Sequence, residues 1–200
     1  MAFGPLPVYS LDVCHSNPIN DPMFVDCLDR HLAVCSENEL PAVTRRDPGF
    51  WHSISIMEPR RPLASTERLR DVLSLRFDDV ENREAEEAGV TGPMANHIKD
   101  AFSFADDHWG EPLLIQCWAG LSRITALALG MLSRGLFLDG DECFTEQAVE
   151  LILQIRPEAN PNALVLMLAL ETFLPTDHAD AKTREMVNHS MILNNGFKRW

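Results

Sequence analysis

The run Leu113-Leu-Ile-Gln-Cys-Trp-Ala-Gly-Leu-Ser-Arg123 leaves this chain few folds to choose from. Leu113 to Gln116 is a largely apolar stretch, of the kind buried on both faces of a parallel sheet. The strand ends at Cys117, a short loop containing Gly120 follows, and Arg123 stands at its far side. An apolar helix over 124–132 begins at once, with Gly135 expected to close it. A buried strand that turns tightly into a buried helix requires a sheet with helices packed against it.

The flanking sequence extends that frame. His31–Cys35 reads as a short buried strand, and 36–49 as a polar loop. The alternation over 50–57 predicts a strand near a sheet edge. A second alternating run, Val72–Phe77, leads into Asp78-Asp79. Apolar residues at helical spacing predict helices over 93–108, 142–155 and 160–173, the second bearing Phe144, Ala148, Leu151, Ile152 and Ile155 on one stripe. Residues 1–22 read as an irregular lead-in, and the Glu-rich run within 81–92 as a solvated face. The polar residues from 175 to 200 predict a tail with one helix over 179–191 and a frayed end.

Strands alternating with helices, then helices alone, define an α/β domain with a central, mostly parallel sheet flanked by helices and a helical C-terminal half. One domain over 1–200, with its core at about 30–173, is the expected organisation. Ligands of such sheets lie beyond the carboxyl ends of the strands. Cys117 and Asp79 both fall there, on one rim.

Composition narrows the partners. A net charge of −13 over 200 residues is unsuited to gripping a nucleic-acid backbone, which needs clustered Lys and Arg. It leaves room for a phosphorylated ligand in a locally cationic loop. The five cysteines form an odd count without CxxC spacing, so reduced thiols are expected. The start Met1-Ala-Phe-Gly-Pro carries no signal-peptide pattern, and no apolar run is long enough to span a bilayer. These features predict a cytoplasmic protein without membrane contact.

Cys117 and Arg123 suit attack on an oxyanion ester. A thiolate is a nucleophile, and the amides from Trp118 through Ala119, Gly120, Leu121 and Ser122 to Arg123, with the helix N-terminus behind them, form a concave anion site. The Arg123 guanidinium offers a planar fork for two oxygens. Gly120 permits a tight turn, and Ser122 places a hydroxyl near the thiol or the helix cap. Trp118 either lines the pocket wall or packs beneath the loop. The seven histidines are scattered without metal-ligand spacing, so no metal or other cofactor is expected.

Cys117-Trp-Ala-Gly-Leu-Ser-Arg123 resembles the Cys-x5-Arg phosphate loop of the protein tyrosine phosphatases. Its Ala-Gly-x-Ser form is similar to the dual-specificity branch, and its tryptophan to small bacterial tyrosine-phosphatase-like proteins. Rhodanese-like sulfurtransferases and arsenate reductases share the cysteine–arginine spacing, but the former favour a different loop composition and relatives of the latter place the motif near the N-terminus. The likeness extends over about residues 30–173. It includes Arg156-Pro-Glu-Ala-Asn-Pro-Asn162, which in that branch braces the loop from behind.

The resemblance implies a two-step hydrolysis of phosphotyrosine or a similar aryl phosphomonoester, on a protein or a small molecule. Cys117 attacks phosphorus to form a phosphocysteine, Arg123 and the loop amides hold the oxygens, and an aspartate serves as acid and then base. Asp79 fits that role best in register; Asp78, Asp106 and Asp107 are the chemical alternatives. Two positions depart from the pattern. Gln116 replaces the usual histidine; its amide can donate to the loop but cannot carry charge. Ile124 replaces the hydroxyl residue that assists thiolate departure, and Thr125 sits one residue late, rotated by about 100°. Slow breakdown of the phosphocysteine follows as the expectation. The alternative is a pseudophosphatase that binds phosphorylated ligands without turnover.

Overall fold

The computed structural model describes residues 22–62, 65–81 and 90–194. Five strands form one sheet: β1 (Met23–Val25), β2 (Arg30–Ser36), β3 (His52–Met57), β4 (Asp71–Arg76) and β5 (Leu113–Cys117). Their spatial order is β1-β2-β5-β3-β4, with β1 antiparallel to β2 and every other pair parallel. Central β5 is buried along its whole length, because helices and loops cover both faces of the sheet.

One face is packed by α2 (Ala95–Asp107), α3 (Arg123–Leu138), α4 (Phe144–Ile155), α5 (Ala163–Leu170) and α6 (Thr176–Val187). A smaller apolar group covers the other face, where Leu40 of α1 (Leu40–Arg46) joins Ala33, Cys35, Trp51 and Leu114. Strand alternation divides the side chains between them. Leu32, Val34, Ile115 and Cys117 face the large helical layer, whereas Ala33, Cys35 and Leu114 face the small one.

Several elements depart from their sequence-based expectation. β3 lies one strand in from the edge, between β5 and β4, and all six of its residues are buried rather than alternating. Its polar members, Ser53 and Ser55, produced the misleading alternation. α1 occupies part of the expected polar loop. α3 runs past Gly135 to Leu138; a Cβ at Gly135 would lie 2.6 Å from the Cys27 carbonyl oxygen. That glycine therefore serves a close backbone approach and not a helix stop.

Beyond Pro175 the chain forms α6 and then α7 (Ser190–Leu193). Ala179, Met186, Val187 and Ile192 join the main core, so a polar-looking stretch is anchored by a few apolar residues. Most of the lead-in and of the Glu-rich run lies outside the described residues. Among the described residues, no helix is long and apolar enough to cross a membrane.

Candidate active site

β5 delivers Cys117 to the carboxyl rim of the sheet, and α3 begins six residues later with Arg123. The connecting loop folds back over the end of β2. Gly120 adopts φ +74° there, and a Cβ on it would stand 2.7 Å from the Ser36 nitrogen. Both facts require glycine. The loop's carbonyls are drawn outward: Glu37 N–H donates to the Cys117 carbonyl at 2.8 Å, Asn160 N–H to Leu121 at 3.0 Å, and Asn162 N–H to Ser122 at 3.3 Å. Gly120 N–H points at Cys117 Sγ from 3.3 Å, and the Ile124 amide is also directed at the thiol.

Burial pushes the Cys117 thiol above its ordinary pKa. Arg123 and the Gly120 and Ile124 amides pull the other way, and Asp79 adds to the upward push. Gln116 does not assist. Its side chain leaves β5 on the face opposite Cys117, as adjacent strand residues must, and its Nε2 donates to Ser55 Oγ at 2.6 Å. The bond from this amide to the loop, open from sequence, is not made. Ile124 is completely buried in the core. Thr125 spends its hydroxyl on the carbonyls of Leu121 and Ser122, which removes it as a substitute.

Arg123 is only 2% exposed. Its Nη1 donates to the Phe77 carbonyl at 3.0 Å, and its Nη2 to Glu58 Oε1 at 2.6 Å. Nε lies 3.8 Å from Asp79 Oδ2 and makes no hydrogen bond. Burial works against the Glu58 carboxylate, but its own backbone amide, Arg123 and Arg61 outweigh this and hold the carboxyl below its usual range. Arg61 also lies over the half-exposed Trp118 ring, 4.5 Å from its centroid. Trp118 therefore stands at the rim and does not pack beneath the loop.

The four candidate aspartates separate in space. Asp79 Oδ1 accepts from Ser122 Oγ at 2.8 Å and from Asn162 Nδ2 at 2.7 Å. Asp78 instead closes its own loop, accepting from Thr91 N–H at 2.9 Å. Asp106 pairs with Arg134 at the other end of the sheet, and Asp107 ends α2 beside it. Asn162 uses its whole side chain: Oδ1 caps α5 through Val165 N–H, and Nδ2 reaches both Asp79 and the Val80 carbonyl. Behind the loop, Arg156 holds both oxygens of Glu39 at 3.0 Å, and Glu39 accepts from Ser36 N–H.

Glu58, Arg61 and the tie from Asn162 to Asp79 had no sequence signal of their own. Glu58 and Arg61 belong to a segment that reads only as a proline-bounded strand break. They reach the loop because β3 runs beside β5 and ends at the same rim.

No family model and no curated protein matches this chain. Solved structures do. The chain is similar to the Yvh1 phosphatase domain from Chaetomium thermophilum, at 16% identity and TM-score 0.54, covering 79% of this chain and 98% of that one. A human tyrosine phosphatase-like serine/threonine/tyrosine-interacting protein matches at 18% identity and TM-score 0.52, over 70% of this chain and 89% of the other. A mouse putative dual specificity phosphatase, solved with zinc tungstate, gives 17% identity and TM-score 0.52, over 86% and 98%. The fold is that of the tyrosine and dual-specificity phosphatases. Within that fold class, the carboxyl rim of the sheet carries the loop from Cys117 to Arg123.

Proposed function

We propose that the protein is a cysteine-dependent phosphomonoester hydrolase, acting on phosphotyrosine or a similar aryl phosphate. The observation that carries this reading is the Gly120 amide directed at Cys117 Sγ, with Arg123, Asp79 and the Ile124 amide near enough to act on the same thiol. Trp118 and Arg61 at the rim support an aryl phosphate, one as a flat apolar surface and the other as a cation for its charge.

In the first step the Cys117 thiolate attacks phosphorus while the phosphorus–oxygen bond to the leaving alcohol breaks. Asp79 supplies the proton that the leaving oxygen takes up. The loop amides and the free Nε of Arg123 hold the non-bridging oxygens, and Glu58 keeps the guanidinium in place. Water then attacks the phosphocysteine and gives its proton to Asp79. The phosphorus–sulfur bond breaks, and the electron pair returns to sulfur. Phosphate and the free thiolate are released. The reaction so written draws on no cofactor, and its reduced thiol suits a cytoplasmic setting.

The raised thiol pKa, Gln116 turned away and Ile124 beside the cysteine all bear on that second step. They support slow turnover, and in the extreme a protein that binds phosphorylated ligands without hydrolysing them. Hydrolysis of p-nitrophenyl phosphate by the wild type and by Cys117→Ser tests the assignment. Activity lost in Cys117→Ser supports it. Activity that survives in Cys117→Ser rules out the cysteine mechanism, and a wild type that binds phosphate analogues without product leaves the binding-only protein.

A further inference from the structure

At the opposite end of the sheet, three side chains far apart in sequence converge. His52 opens β3, Asp71 opens β4 directly beside it in register, and His108 caps the end of α2. One ligating atom from each lies within 4.8 Å of the others. The histidine rings sit 4.0 Å apart between centroids.

His52 is 5% exposed, yet neither of its ring nitrogens has a hydrogen-bond partner. Buried polar atoms are rarely left this way. His108 Nδ1 lies 2.8 Å from the Phe104 carbonyl oxygen. A carbonyl only accepts, so Nδ1 carries the proton and, in the neutral ring, Nε2 presents a lone pair. That lone pair faces Asp71 Oδ2 at 3.4 Å, acceptor against acceptor. Two ligands bound to a tetrahedral zinc at about 2.0–2.1 Å stand roughly 3.3–3.4 Å apart.

We propose that His52, His108 and Asp71 form a binding site for one divalent transition-metal ion of the zinc type, separate from the phosphate loop. Two imidazoles and a carboxylate suit a borderline ion better than calcium or magnesium. The Phe104 carbonyl orients His108 as outer-shell partners of metal-bound histidines do. Glu111 Oε2 stands 3.9 Å from His52 Nε2 and is held by Arg70 at 2.9 Å, which offsets the arginine's charge beside the site. Glu111 or a water completes the coordination. Asp71 and His108 bound the chain segment that carries Asp79, so the ion ties both ends of that segment to β3. Its role is structural, and it does not depend on the phosphatase reading.

Zinc titration of the Cys117→Ser protein, which lacks the loop thiol, provides the test by calorimetry and thermal melting. One equivalent should bind, and zinc at 100-fold above its dissociation constant should raise Tm by roughly 5–10 °C. His108→Ala and the gentler Asp71→Asn, an exposed position, should each weaken binding by about 10-fold or more. No binding by the Cys117→Ser protein at roughly 100 μM zinc, or affinity unchanged in either variant, overturns the proposal.

Discussion

On its arginine side the loop from Cys117 to Arg123 is crowded with polar partners; on its cysteine side the thiol meets two backbone amides and a wall of apolar carbon. Arg123 is gripped by Glu58 and Phe77, and Asp79 is docked on Ser122 and Asn162. Gln116, by contrast, faces away, and Ile124 is sealed into the core. Under the proposed chemistry, one flank would hold an oxyanion, and the other would give little help to a departing thiolate. Binding and release are separate physical tasks, and a loop can be well equipped for the first alone.

The comparison breaks most sharply at the groups both flanks share. Cys117→Ser should lower hydrolysis of an aryl phosphate by about 10⁴-fold or more, measured as kcat/KM. On the holding flank, Arg123→Lys removes Nε and the guanidinium's grip on Phe77 and Glu58 and should cost roughly 10²–10³-fold in the same assay. Asp79→Asn should cost roughly 10²–10³-fold with p-nitrophenyl phosphate. The loss should shrink as the leaving group becomes more acidic, because a good leaving group needs no proton. A loss independent of leaving-group pKa would remove Asp79 from the role of acid.

Smaller effects sharpen the contrast. Asn162→Ala leaves α5 uncapped and the Val80 carbonyl without its donor; it should lower stability by about 1–3 kcal/mol in denaturant unfolding. The releasing flank has a pH signature. Because burial raises the Cys117 pKa, its thiolate fraction is below that of a free cysteine at any given pH. Alkylation of Cys117, followed by peptide mass spectrometry, should therefore keep rising with pH beyond the value at which a free thiol levels off. Saturation well below neutral pH would show a stabilised thiolate and erase the difference between the flanks.

The strand, loop and helix from Leu113 through Arg123 were legible in sequence because their pattern is compressed into consecutive residues: a strand, a glycine and an arginine at fixed spacing. The central strand and the major helices were legible for the related reason that apolar periodicity is local. β3 was expected near an edge because Ser53 and Ser55 look solvent-facing; it lies between β5 and β4 with both serines buried, Ser55 accepting from Gln116. Glu58, Arg61 and the grouping of His52 with His108 depend on strand order and on where a helix ends. Neither is written in any local pattern. Asn162 was visible as part of a helix-start motif, but its bond to Asp79 spans 83 positions and needed the fold to bring the two together.

Rapid-quench kinetics on wild type and on Ile124→Ser, with the shape-closer Ile124→Thr as a control for the buried site, tests the divided loop most directly. The wild type should show a burst of released alcohol approaching one equivalent per enzyme, with the phosphoryl group held as phosphocysteine, followed by slow turnover. A hydroxyl at position 124 should raise the slow phase several-fold and leave the burst rate near its original value. A wild type without a burst, whose steady-state rate does not respond to either substitution, would contradict the account.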